Sequence, residues 1–297
     1  MFYCYAKLIE KGKQFTIFFG ARNSLSIFGG STRPNIRSLT KARKTGLIIL
    51  GATLGIVVIL VLFRFLQNSR YSSEIPLVSE SGTLSQPLRT QVDDALRKAR
   101  KNPSAENLGR LGMIYHSSAN YEQAAVCYKL AVSRNEAEWK WNYYLGYLSM
   151  EMGVSDKVFE NFTRVVEINP EVFHAWYYLG EEYQNLRENR KAKANFDRII
   201  HIQKNPAAVS PSVRQDHFPL GTHASYQLSR IYLESDSLEL AEKTLKEIIK
   251  TRPSFGPAYR LLGTVYRQKG DLHLSEQYVA RANDLLVYSP PLDTLLD

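Results

Sequence analysis

The side chains able to carry chemistry are scattered through this sequence. The histidines are His116, His174, His201, His217, His223 and His273. They form no His-Glu-x-x-His arrangement, and no carboxylate pair stands in a catalytic spacing. Asp216, His217 and His223 are close enough in sequence to be weighed as metal ligands, but their spacing fits no zinc pattern, and a polar loop is the plainer reading. There is no Gly-x-Ser-x-Gly elbow, no P-loop and no dinucleotide-binding glycine fingerprint. The cysteines Cys4 and Cys127 form no Cys-x-x-Cys pair; Cys127, among apolar neighbours on a predicted helix, reads as a buried and inert thiol. Asn161-Phe162-Thr163 fits a glycosylation triplet but lies within a predicted helix whose Phe162 is a core residue. The expectation is a chain with no catalytic residue, no metal and no cofactor, hence not an enzyme.

Charge narrows the partner. Of 297 residues, 44% are hydrophobic and 23% charged, ordinary values for a folded chain. The net charge of +9 is unevenly spread. Residues 1–44 hold nine Lys/Arg and one acid, a net of +8, whereas residues 104–297 hold 22 bases and 24 acids, a net of −2. The basic character belongs to the N-terminal tail, so a nucleic-acid partner for the folded part loses its main support.

Residues 45–63, TGLIILGATLGIVVILVLF, contain no charge. At about 1.5 Å per residue they give roughly 28 Å of helix, close to the hydrocarbon thickness of a bilayer. Residues 45–66 are therefore expected to form one transmembrane helix. Arg64, Phe65 and Leu66 follow it where a cleaved signal peptide would place small residues, so an uncleaved anchor is expected. Lys41, Arg43 and Lys44 crowd its N-terminal flank, which keeps the N-terminus cytoplasmic and sends the rest across. The expected location is a bacterial inner membrane with the folded domain in the periplasm; a mitochondrial inner membrane is the alternative. Gly51 and Gly55 form a GxxxG spacing through which two such helices could pair as a homodimer. Three readings compete for the preceding basic tail, 1–44: a disordered cytoplasmic extension, a mitochondrial presequence, or a prefix from a start codon assigned too far upstream. The last is preferred, with the protein beginning near Leu39. Residues 67–87, Ser-rich with Pro76, Gly82 and Pro87, read as a flexible linker. Residues 88–102 read as a capping helix with Leu88, Val92, Ala95, Leu96 and Ala99 on one side.

The rest of the chain repeats. Gly112, Gly146 and Gly180 are 34 residues apart, and so are Ser229 and Gly263; the interval between Gly180 and Ser229 is 49, or 34 plus a 15-residue insertion. Three residues after the small position stand Tyr115, Tyr183, Tyr232 and Tyr266, with Ser149 the exception. Twelve after it stand Ala124, Val158, Ala192, Ala241 and Ser275; sixteen after it stand Tyr128, Phe162, Phe196, Leu245 and Val279. This pattern resembles the tetratricopeptide repeat, whose signature Trp-x2-Leu-Gly-x2-Tyr, then Ala-x3-Phe, is matched by Trp176, Leu179, Gly180, Tyr183, Ala192 and Phe196. The resemblance covers residues 104–289 and implies an all-α fold, a right-handed α-solenoid of about five helix pairs preceded by the transmembrane helix. The repeats are placed at about 105–138, 139–172, 173–206, 222–255 and 256–289, with the insertion at about 205–221 and a C-terminal tail at 290–297. Each small residue is expected where the second helix of a pair crosses the first. The tail looks short for a capping helix, which leaves the last apolar face to a continuation of the chain or to a partner.

The resemblance also implies an interaction groove lined by the first helix of each pair. Counted from the small residue, positions −3, +1 and +4 face it. The candidate partner-binding residues are Met113, His116, Tyr143, Tyr147, Tyr177, Tyr226, Arg230, Arg260 and Arg267. Aromatic and arginine side chains are the usual anchors of interfaces. An apolar end and a cationic end suit an extended peptide or a helix with acids at one end. An alternative is that some of these tyrosines only pack helix on helix. Chaperone-binding members of the family hold a terminal carboxylate with Lys and Asn; Gly109, Met113 and Tyr144 stand at three of those positions, so that role is not expected. Phe218, in the proline-rich insertion, would be an anchor if exposed. The function expected is a membrane-anchored protein–protein interaction scaffold or assembly factor, similar in architecture to tetratricopeptide proteins of envelope assembly or cytochrome maturation. The alternative is the docking or regulatory part of a larger enzyme system whose catalytic part lies elsewhere.

Overall fold

The computed structural model describes residues 36–77, 85–203, 218–285, 290–293 and 295–296, with side chains from residue 50 onward apart from residues 202 and 203. The insertion residues 205–217, with Asp216 and His217, and the basic residues 1–35 lie outside this set. Two compact units are separated at Phe63 and Arg64. Among the described residues there are twelve helices and no strand.

Helix α1 spans Ile36–Glu74, and every large apolar side chain from Leu50 to Leu66 is more than half exposed or close to it. By length and composition this helix could cross a membrane. It runs eight residues further than the expected 45–66 span, through 67–74. The flexible-linker reading of 67–87 is corrected accordingly: the start of that segment is helical and docked. Tyr71 in the helix and Ile75 just past its end are the apolar residues that dock it among serines; Ile75 is 4% exposed. The Tyr71 hydroxyl donates to the Ser133 carbonyl, Arg134 lies over the Tyr71 ring and donates to Asn68, and the Tyr115 hydroxyl donates to the Pro76 carbonyl. Helix α2 (Gln86–Lys101) then packs through Val92 and Ala99.

Five antiparallel pairs follow: α3 (Ala105–Ser117) with α4 (Tyr121–Arg134), α5 (Trp139–Glu151) with α6 (Ser155–Ile168), α7 (Phe173–Asn185) with α8 (Asn189–Gln203), α9 (Leu220–Glu234) with α10 (Leu238–Thr251), and α11 (Gly256–Gln268) with α12 (Leu272–Asn283). Each second helix also packs on the first helix of the next pair, which makes the array a solenoid. The spacing seen in the sequence is the reason. A Cβ on Gly112, Gly146, Gly180 or Gly263 would meet Tyr128, Phe162, Phe196 or Val279 at 2.8, 3.1, 2.6 and 2.7 Å respectively. The small residues Ala124, Val158, Ala192 and Ala241 are almost wholly buried where the two helices of a pair meet.

The turns repeat as well. Ala119, Gly153, Arg187, Asp236 and Gly270, each seven residues after the small position, all have φ between +56° and +86°. The chain reverses through one left-handed residue per pair, and only two of the five are glycine. Two helix starts are capped by side chains of the usual type: Ser104 accepts from the Asn107 amide at 3.2 Å and Asp271 from the Leu274 amide at 2.9 Å.

Candidate functional site

The first helices present aromatic and polar side chains, and on α5 and α7 these surround a segment of the chain itself. Asp293 is 4% exposed. Its carboxylate accepts from the Tyr143 hydroxyl of α5 and from the Tyr178 hydroxyl of α7, the latter at 2.9 Å. The backbone on either side is held too. The Leu292 carbonyl lies 2.9 Å from His174 Nε2, and the Leu295 carbonyl accepts from the Tyr144 hydroxyl at 2.5 Å. The Leu295 and Leu296 amides fold back onto the Asp293 carboxylate and carbonyl, at 3.1 and 2.9 Å. The two leucine side chains pack on the apolar surface beneath.

Burial, then the Tyr178 and Asp293 neighbours, pushes the Tyr143 pKa far above its ordinary 10. Burial followed by Asp293 does the same to Tyr178. Both hydroxyls therefore keep their protons and act as donors across the whole physiological range. The rings are locked from behind: Tyr143 and Tyr178 meet the Phe162 ring at 5.5 and 5.2 Å.

The structure scatters the other predicted positions. Tyr147 is half-buried, 6.0 Å from the Tyr178 ring, beside the tail seat. Met113 is half-buried and packs with the first cluster of helices. His116 is occupied by its neighbours: Nε2 is 2.6 Å from Glu151 and Nδ1 is 3.3 Å from the Tyr128 hydroxyl. Tyr177 is 1% exposed, its ring 5.7 Å from Phe196. Gln227 donates to Tyr177 and to Glu181 at 3.1 and 2.9 Å, and accepts from Arg230 at 2.8 Å. Burial raises the Glu181 pKa, opposed by the hydrogen bonds from Tyr177 and Gln227. Tyr226 is half-buried, its ring edge-on to Phe255 at 5.7 Å, while Arg230, Arg260 and Arg267 are exposed. Gly109 lies under the Trp141 ring and is not available to a ligand. Phe218, read as an anchor if exposed, instead packs 4.8 Å from Phe255. His223 is 1% exposed in the same cluster.

Sequence reasoning did not count His174, Tyr178 or the tail as part of a site, and named Tyr144 only in setting aside a chaperone-type role. Tyr144 and Tyr178 stand at position −2, one residue off the positions counted as groove-facing. On the side of the second helices a cleft of about 570 Å³ opens, with Asn142, Leu145 and Leu148 among its lining residues. Among the described residues no group of three His, Cys, Asp or Glu is placed to hold a metal. Trp176 sits at the head of α7, donating to the Pro170 carbonyl at 3.0 Å under the Arg198 guanidinium.

A solenoid of stacked helical hairpins defines a class of interaction module. Residues 105–138 and 222–255 match the family model of the tetratricopeptide repeat, and this chain is a tetratricopeptide-repeat protein. Three solved structures share the fold. YrrB, described as a TPR protein with an unusual peptide-binding site, is 16% identical over 65% of this chain and 92% of its own, with a TM-score of 0.51. A tetratricopeptide repeat protein from Parabacteroides merdae is 17% identical over 66% and 73%, with a TM-score of 0.53. MamA from Desulfovibrio magneticus is 16% identical over 61% and 94%, with a TM-score of 0.51. At these identities the likeness concerns the fold alone. No curated protein matches the sequence.

Proposed function

We propose that this chain is a membrane-anchored, non-enzymatic interaction scaffold whose first-helix face holds a short non-helical segment of a partner protein. The observation that carries this reading is the seating of Leu292, Asp293 and Leu295, outside any helix, on side chains of α5 and α7. The peptide-binding site in the description of the similarly folded YrrB supports it. In this reading Tyr147 of α5, Tyr226 and Arg230 of α9, and Arg260 and Arg267 of α11 supply further contacts. The exposed apolar stretch from Leu50 to Leu66 supports anchoring through α1. The basic flank keeps the N-terminal side cytoplasmic and puts the repeats in a bacterial periplasm, or beyond a mitochondrial inner membrane. A Cβ on Gly51 or Gly55 would meet nothing within 4 Å, so that edge of the helix is open to a second copy.

Chemical cross-linking and affinity capture from membranes tests the reading. The wild-type chain is compared with a Tyr147→Ala/Arg230→Ala variant. Partner recovery is expected to fall several-fold in the variant, and alkaline extraction is expected to leave both proteins with the membrane. Equal recovery of the same partners would remove the first-helix face from the account, and release by alkali would remove the anchor.

A further inference from the structure

The way the tail is held says what kind of segment this face selects. The contacts fall into two sets. One set is blind to sequence: His174 and Tyr144 meet the backbone carbonyls of Leu292 and Leu295. They hold a short turn of backbone in one place. The other set reads side chains. Two buried tyrosine hydroxyls converge on one carboxylate oxygen of Asp293, and apolar surface takes Leu295 and Leu296.

Both hydroxyls are held in the donor form, so the position requires an acceptor. An apolar residue there would leave two buried donors unpaired, and a lysine would oppose donor with donor. The other carboxylate oxygen is turned toward the Leu295 amide, which shapes the backbone so that the two leucines follow at fixed offsets. The recognised pattern is Asp-x-Leu-Leu, with the acid specifying and the leucines anchoring.

The position of the tail argues against mere capping of the solenoid. A cap would cover α12, the last helix. The tail instead touches α5 and α7, more than a hundred residues upstream, at the most aromatic stretch of the first-helix face.

We propose that the α5–α7 face is a receptor site for acidic-aliphatic peptides of the form Asp-x-Leu-Leu. Leu292, Asp293, Leu295 and Leu296 of this chain occupy it in cis, and the partner segment is of the same chemistry and displaces them. The proposal rests on the scaffold reading above and deepens it. An intramolecular competitor sits at a high effective concentration, so it sets a threshold: partners lacking the carboxylate or the leucines do not dislodge it.

The probe is a fluorescein-labelled peptide, PPLDTLLD, copied from residues 290–297. Its binding to the full chain in detergent micelles is read by fluorescence anisotropy. Three proteins are compared: wild type, a tail-weakened Asp293→Ala/Leu295→Ala variant, and that variant with Tyr143→Phe and Tyr178→Phe added. Weakening the tail is expected to tighten peptide binding about tenfold or more, because the cis competitor is lost. The two phenylalanines are expected to reverse that gain while far-ultraviolet circular dichroism stays unchanged. A peptide with its first Asp replaced by Asn is expected to bind the tail-weakened protein about tenfold more weakly, which requires no change to the groove. Equal binding to wild type and tail-weakened protein would overturn the cis occupancy. So would suppression that grows with protein concentration, which marks a tail seated in a second copy. Equal binding of the Asp and Asn peptides would overturn the carboxylate reading. Any of these results leaves partner capture by Tyr147 and Arg230 standing, so the two readings fail separately.

Discussion

Gly180 is the most exacting point of the repeat. Its absent Cβ would lie 2.6, 2.8 and 3.0 Å from Cε1, Cζ and Cδ1 of Phe196, a ring with no exposed surface. Ordinary carbon contacts sit at about 3.5–4.0 Å, so a methyl group there forces the ring or the helix away by roughly 1 Å. The ring cannot yield freely, because Tyr177 packs on it with centroids 5.7 Å apart. Overpacking of this kind costs about 1–3 kcal/mol, while replacing a mid-helix glycine by alanine returns about 1 kcal/mol of helix propensity. Gly180→Ala should therefore destabilise by about 1 kcal/mol, a fall in Tm of about 2–4 °C for a domain of this size. Gly146→Ala is the internal comparison. Its Cβ would meet the Phe162 ring at 3.1 Å, where a few tenths of an ångström of give suffices, and it should be near neutral. Adding Phe196→Leu to Gly180→Ala should cost less than the two changes taken separately, since the smaller side chain removes the overlap. Urea denaturation followed by circular dichroism reads wild type, the three single variants and the double variant. A Gly180→Ala protein more stable than wild type, or strict additivity with Phe196→Leu, would refute the close-crossing explanation of the repeat.

Other expectations follow from single features. Ala119→Gly relieves a left-handed residue at φ +58° and should raise stability by about 1 kcal/mol, read as a higher Tm; Gly153→Ala should do the reverse. Burial pushes the Cys127 thiol up to about 12, so a Cys4→Ser protein should resist a thiol reagent at pH 8 until it is denatured. Burial also raises Tyr115 to about 12 and pushes Tyr128, Tyr143 and Tyr178 further. Their raised folded pKa values make a stabilising contribution that is complete below pH 10 and lost as pH rises through 10 toward 12 and above. Tm should fall steeply across that window, and Tyr143→Phe should flatten the fall.

The solenoid was legible because its determinants are local and recur: a small residue, then a large apolar one sixteen later, repeated every 34 positions. Any one pair would have been weak; five fix the crossing of each hairpin. The left-handed turn residue was not read, because Ala119, Arg187 and Asp236 carry no glycine to mark it. The face of the first helices was legible in part. Position counting included Tyr143 but not Tyr144 and Tyr178, which stand at position −2 and also reach the tail. It counted Tyr177, which Phe196 and Gln227 bury. The tail could not be read at all. Eight residues without periodicity give no sign of a partner more than a hundred residues upstream, and the Asp-x-Leu-Leu pattern acquires meaning only beside two converging hydroxyls. Phe218 and the start of the linker were misread for a common reason. Proline and serine suggested exposed chain, while the aromatic and aliphatic residues among them had cores to join.

The central claim is that the first-helix face is where a partner chain lies. Site-specific photo-cross-linking in intact membranes tests it most directly, with the photoreactive residue at position 147 on α5 or at position 240 on α10, whose Leu240 is 49% exposed. The account predicts adducts to a partner segment from position 147, sequenced by mass spectrometry, and none of that segment from position 240. Capture of the same segment from position 240 and not from 147 would contradict it.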